Sequence, residues 1–157
     1  MKRKPSPANS KVGAFFELTK PRITTLIIIS TALGYYLGNT GNVDIFNFIL
    51  TILGTALLSG GAGAINHFVE KDLDQLMDRT KSRPIPAGII ASQIALYFGL
   101  SLSILGLIIL FIFVNSLTAI LGLTTVILYI FVYTPLKKIT WLNTTIGAIP
   151  GAMPTLG

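Results

Sequence analysis

Four runs of this 157-residue chain carry no charged side chain: 23–43, 45–69, 84–136 and 139–157. Stretches of that length have few stable homes. A bilayer offers one, because a helical span needs only about 20 apolar residues and satisfies its own backbone hydrogen bonds. The composition agrees, with 52% of residues hydrophobic and 11% charged, where an average soluble domain carries about 25% charged residues. The third run is long enough for two spans, which the polar pair Asn115-Ser116 divides. The expected fold is therefore an all-α membrane protein with four transmembrane helices and a partial fifth. The cores are placed at 22–38, 45–66, 90–113 and 117–134, followed by 141–157. The last segment gathers Gly147, Pro150, Gly151, Pro154 and Gly157, and proline removes a backbone bond and kinks a helix, so a straight helix is not expected there.

Lys and Arg near span ends stay in the cytoplasm, and all twelve fall on one side of this topology. Six precede or open the first span (Lys2, Arg3, Lys4, Lys11, Lys20, Arg22), four follow the second (Lys71, Arg79, Lys81, Arg83) and two follow the fourth (Lys137, Lys138). The loops around 39–44 and 115–116 have none. The N-terminus and loops 67–89 and 135–140 are thus expected in the cytoplasm, with the protein integral to the inner (plasma) membrane or its equivalent. The net charge of +6 reads as topogenic and facing anionic lipid; no basic aromatic module points to nucleic acid. The chain has no cysteine, so disulfide, zinc-thiolate and iron–sulfur readings fall away. Residues 1–10 are polar with two prolines and are expected to be disordered. They lack the short apolar core and small-residue cleavage site of a signal peptide. Ser59-Gly60-Gly61-Ala62-Gly63-Ala64 suits close helix packing in lipid; a phosphate-binding glycine loop would need a preceding strand and a following Lys-Ser or Lys-Thr.

The charge the spans lack is concentrated between Asn66 and Pro86, which holds four of the six carboxylates and four of the twelve basic residues. Asn66, Glu70 and Asp74 recur every fourth residue, so they share a face if the helix continues, with Asp72 nearly opposite. Three oxygen donors in a column suit a hard cation such as Mg²⁺, held by one or two carboxylates, waters and substrate phosphate oxygens. The same column fits the solvated acidic end of a membrane helix. Arg79, Lys81 and Arg83 follow directly. Arg presents a fork that matches phosphate oxygens, though positive flanking charge beside a span is also expected on topology alone.

Three sets of residues resemble a known family: Leu18-Thr19-Lys20-Pro21-Arg22-Ile23; Asn66, Glu70, Asp74, Met77, Arg79, Thr80, Arg83 and Pro84; and Tyr133-Thr134-Pro135-Leu136-Lys137 with Asn143 and Gly147-Ala148-Ile149-Pro150-Gly151-Ala152-Met153-Pro154. Together they are similar to UbiA-type intramembrane prenyltransferases, and within them to the heme-farnesylating branch. The resemblance implies that Mg²⁺ near Asn66, Glu70 and Asp74 binds farnesyl diphosphate, with Glu70 and Asp74 catalytic. It implies that the diphosphate leaves and that a vinyl group of heme B captures the allylic cation, water then supplying the hydroxyl. It assigns Arg79, Lys81, Arg83 and Lys137 to the diphosphate, and Lys20, Arg22, Asp72 and Tyr133 to substrate or pocket. His67, the single histidine, reads as a packing residue before a heme ligand.

Family members have nine transmembrane helices and a second acidic motif in the later half. This chain corresponds to about the first half, residues 11–157 forming the N-terminal part of the domain, and is expected to be inactive alone, as a truncated or split enzyme whose bundle a second polypeptide could complete. A related prenyltransferase using a quinone precursor or a chlorophyll-type acceptor, a non-catalytic membrane fragment, and a transporter fragment are the competing readings. The last is disfavoured because the ionisable groups lie at the membrane edge and not at its middle.

Overall fold

In the computed structural model the described residues are 10–39, 41, 43–136, 147 and 151–155. The helices in order are α1 (Lys11–Leu18), α2 (Pro21–Gly38), α3 (Ile45–Leu76), α4 (Ser92–Val114) and α5 (Ser116–Leu136). The last turn of α4, Leu110–Val114, and the stretch Leu128–Tyr133 of α5 widen to π geometry. A 3-10 turn, Met153–Thr155, follows. The expected N-terminal disorder lies outside the described residues apart from Ser10, whose hydroxyl caps α1 by accepting from Gly13 N at 3.1 Å. Most of the expected fifth segment, 141–157, also lies outside them, as do Lys137 and Lys138.

Four of the five helix starts have a local cause. Asp44 accepts from the backbone of Phe46 and Asn47 at the head of α3, and Asn115 from Thr118 N at 2.7 Å at the head of α5, satisfying amides that have no partner within the helix. The break between α1 and α2 is set by Pro21. A residue before proline is steered away from helical angles, and Lys20 adopts the left-handed region at φ 50° before Pro21 opens α2.

Among the described residues α3, α4 and α5 are long and apolar enough to cross a membrane. The helix over the expected first span, α2, is 18 residues long and carries Arg22 and the Tyr35-Tyr36 pair, so it falls short of the other three in apolarity. At 32 residues α3 is roughly 48 Å long by the helical rise, more than the ~30 Å of a hydrocarbon core. It therefore carries the acidic column beyond the apolar zone without a break, ten residues past the expected end at 66.

Glycines let α3 and α4 lie against each other as antiparallel rods. A Cβ added to Gly99 would come within 2.9 Å of Gly61 O, and one on Gly106 within 2.7 Å of Gly54 O. These two contacts, seven residues apart on both helices, bring backbone to backbone in the small-residue manner of membrane interfaces. Gly106→Ala is accordingly expected to cost about 1–3 kcal/mol and to lower the thermal midpoint in detergent. Gly38→Ala, where nothing lies within 4 Å, is the comparison expected to leave it unchanged or raised.

Candidate functional site

The same run of small residues seats the cation of the α1–α2 turn. Added Cβ atoms on Gly60 and Gly63 would meet the Thr19 side chain at 3.2 Å and Leu18 O at 3.1 Å, so the turn rests directly on the α3 backbone. From there Lys20 Nζ donates to Asn66 Oδ1, one turn along α3, and to the Tyr129 hydroxyl at 3.3 Å. Asn66 Nδ2 in turn donates to Thr134 Oγ1 at 3.0 Å, and that hydroxyl donates to Tyr129 O at 2.8 Å. Three segments remote in sequence are thereby tied into one polar network, in which Asn66 is 2% exposed and Thr134 1%.

Asn66, Glu70 and Asp74 share one face of α3, and Glu70 and Asp74 are also buried, 6% and 4% exposed. The loop after α3 bends back to cover them. Thr80 Oγ1 donates to the Asp74 carbonyl at 3.1 Å, and the amides of Ile89 and Ile90 donate to Pro84 O. Ile85 and Ile90 sink into an apolar cluster with Ala14, Leu18, Ala64 and Ala95. Held in this way, Arg83 Nη1 donates to Asp74 Oδ2 at 2.6 Å and lies 3.8 Å from Glu70 Oε2. One guanidinium thus serves two buried carboxylates.

The other basic residues of the loop do not join it. Arg79 and Lys81 are exposed, and Lys81 pairs with Asp78 at 2.6 Å on the outer surface; the Lys81 bond and charge hold the Asp78 carboxyl below its usual range. The three-residue basic clamp expected around the carboxylates is thus represented there by Arg83. Asp72 and Arg22 are likewise exposed. Asp78 has left the helix, which ends at Leu76. Lys137 lies outside the described residues. His67 is 3% exposed and takes no part in the network.

Glu17, on α1, faces the same cation. Burial raises its carboxyl above the ordinary value of 4.5, with the Arg83 charge working against that rise. A carboxyl raised in the folded state is most favourable when protonated, so its contribution to stability is full at low pH and is lost as pH climbs past 4.5. Glu17→Gln, which cannot ionise, is expected to abolish that decline, read as the thermal midpoint against pH.

Beside the network an apolar cavity of about 570 Å³ runs between α2, α3, α5 and the 151–155 segment, within the range of small-molecule sites. Lys20, Tyr129 and Tyr133 line its mouth, the two rings stacked at 5.6 Å. Glu70, Asp74 and Arg83 do not line it; the two carboxylates lie beyond Asn66, further along α3, with Arg83 on the loop that covers them, and Lys20 and Asn66 stand between the cavity and this cluster. Tyr129 is absent from the residues singled out in the sequence, and Thr134 enters there only within the motif Tyr133-Thr134-Pro135-Leu136-Lys137. Tyr129 precedes Tyr133 by four residues, a spacing that puts both rings on one helix face, and that was the available signal.

The donors fit Mg²⁺ as part of a shell. That ion prefers oxygen, takes one or two carboxylates and keeps water and phosphate oxygens, and Asn66, Glu70 and Asp74 carry side-chain oxygens on one face of α3 that could supply them. Among the described residues no group of three His, Cys, Asp or Glu forms a closed metal cage. The Arg83 contact shows that the two carboxylates together accommodate positive charge.

Among curated proteins the chain is 45% identical to a protoheme IX farnesyltransferase of Solibacter usitatus, covering 89% of this chain and 51% of that protein. It is 38% identical to one of Christiangramia forsetii (95% and 49%) and 42% identical to one of Trichodesmium erythraeum (91% and 44%). The chain spans about half the length of the curated relatives it matches. No solved structure matches it. Residues 27–157 match the UbiA prenyltransferase family, and with three helices apolar enough to cross a bilayer the chain is an integral membrane protein belonging to that family.

Proposed function

We propose that this chain carries the diphosphate-binding part of a prenyltransferase that moves a farnesyl group from farnesyl diphosphate to a vinyl group of heme B, giving heme O. The observation that carries the reading is the junction at Lys20, where a buried polar network meets an apolar cavity, with a carboxylate pair bridged by one guanidinium following on the same face of α3. The names of the similar proteins support the donor and acceptor.

In this reading the tail lies in the cavity and the diphosphate at its mouth. Asn66, Glu70 and Asp74 would hold Mg²⁺, which when bound neutralises charge building on the departing diphosphate. Lys20 donates to a phosphate oxygen, and Arg83, whose Nη1 is held by Asp74, offers its remaining N–H groups to another. As the allylic C–O bond breaks, its electron pair leaves with the diphosphate, and the apolar walls keep water from the cation until the vinyl carbon reaches it. The vinyl group gains the bond, and water adds to the resulting cation with loss of a proton. Tyr133 borders the reacting end, and Lys137 and Arg79 are further candidates for the diphosphate. The sidedness follows from the basic residues: the site, the N-terminus and loops 67–89 and 135–140 face the cytoplasm. In the complete fold α2 to α5 would be four spans and 141–157 part of a fifth, with the rest of the bundle supplied beyond them or by a second polypeptide.

The test is binding of the non-hydrolysable farnesyl thiolodiphosphate to the chain in lipid nanodiscs with Mg²⁺. Glu70→Gln and Asp74→Asn are each expected to weaken it by on the order of 100-fold. Unchanged affinity in both folded variants would refute the assignment of the site.

A further inference from the structure

The cavity has a floor as well as a mouth. Moving away from Lys20, the last residue to line it is Thr31 on α2, Thr55 on α3 and Thr118 on α5. Hydroxyls nearer the mouth are satisfied: Thr24 donates to Thr19 O and Thr125 to Leu121 O, both at 2.7–2.8 Å. That of Thr31 is buried with no hydrogen-bond partner, in a residue only 4% exposed.

Just below Thr31 α2 is crossed by backbone. A Cβ added to Gly34 would lie 2.6 Å from Thr155 O and 2.9 Å from Thr155 Cα, so the 153–155 turn crosses α2 in direct contact one turn beneath Thr31, while Met153 and Pro154 line the chamber above. Gly34 makes this crossing possible because it has no side chain. From Lys20 to Thr31 the helical rise gives a depth of roughly 16 Å, on the order of an extended farnesyl tail and short of one bearing another isoprene unit.

We propose that Thr31, backed by the Gly34–Thr155 crossing, is a length gauge that admits a farnesyl tail and rejects one longer by an isoprene unit. The inference rests on the reading of the cavity as a prenyl site and adds the residue that sets donor specificity. The backbone crossing cannot yield as a flexible side chain would. A single methylene in a closed apolar pocket already discriminates by about 10-fold or more, and an isoprene unit is larger.

The full chain in lipid nanodiscs with Mg²⁺ is titrated with the thiolodiphosphate analogues of geranylgeraniol and farnesol. The wild-type chain is expected to favour the farnesyl analogue by roughly 10-fold or more. Thr31→Ala, which removes the floor's methyl and hydroxyl and leaves the crossing in place, is expected to lower that ratio severalfold. Gly34→Ala displaces Thr155 and is expected to shift the ratio by a similar factor, which keeps the test open should either variant fail to fold. Equal wild-type affinity for the two tails overturns the gauge and leaves the prenyl site standing, as does an unchanged ratio in both folded variants. Failure of the wild-type chain to bind either analogue overturns the prenyl site and the gauge with it.

Discussion

Replacing Arg83 with alanine is expected to destabilise the folded chain by about 3–5 kcal/mol when no divalent metal is present, the cost typical of breaking a buried ion pair from one side. Arg83 is partly exposed at the loop edge, but the groups it serves are not: the Glu70 and Asp74 side chains are 8% and 6% exposed. Without the guanidinium, two buried carboxylates lose the cation that bridges them. The distinctive part of the prediction is its rescue. If these oxygens hold Mg²⁺, adding the ion should restore much of the loss in Arg83→Ala, because a ligand that binds only the folded state stabilises it by mass action. The same addition should affect the wild-type chain less, since there the ion must share the carboxylates with Arg83. Chemical unfolding in detergent, with and without Mg²⁺, reads both quantities. A variant that is destabilised yet indifferent to Mg²⁺ would mean that the carboxylates serve only the ion pair. Arg83→Lys keeps the charge and loses the fork, so it is expected to recover part of the stability.

Lys20→Met is expected to cost on the order of 100-fold in affinity for a prenyl thiolodiphosphate, because it removes the cation at the point where the cavity and the polar network join. It also strips Asn66 Oδ1 of its donor in a position 2% exposed, which adds about 1–3 kcal/mol of destabilisation. Affinity and stability can be separated by a second substitution. Lys20 holds φ at 50°, where glycine has no steric penalty. Lys20→Gly should therefore be more stable than Lys20→Met by about 1 kcal/mol and just as defective in diphosphate binding. Equal recovery of both properties in Lys20→Gly would show that Lys20 matters for the turn alone.

The helices were legible in the sequence wherever long apolar runs ended at a cap. The cores at 90–113 and 117–134 became α4 and α5 with shifts of one or two residues, and Asn115 divides them because it is an N-cap. The continuation of α3 past 66 was legible from the four-residue spacing of Asn66, Glu70 and Asp74, though apolarity alone would have ended the span earlier. What the sequence did not reveal were the partners. Arg79, Lys81 and Arg83 are equivalent as charges, and only the fold of the loop, fixed by Ile85 and Ile90 in the apolar cluster, selects Arg83. The bond from Asn66 to Thr134 joins residues 68 apart in sequence, and no local pattern encodes such a contact. The cavity floor was hidden for the same reason: Gly34 and Thr155 look unrelated until α2 and the 153–155 turn cross.

The unbroken length of α3 makes bilayer thickness a control on the site. The carboxylates ride on α3, while Lys20 belongs to the α1–α2 turn, which rests on glycines and is not fused to that helix. Helices answer a thinner or thicker membrane by tilting or shifting along the normal, and a shift of one residue, about 1.5 Å, is enough to disturb the bond between Lys20 and Asn66. Lipids of different acyl length are therefore expected to tune diphosphate affinity while the α3–α4 seam, locked backbone to backbone, keeps its register.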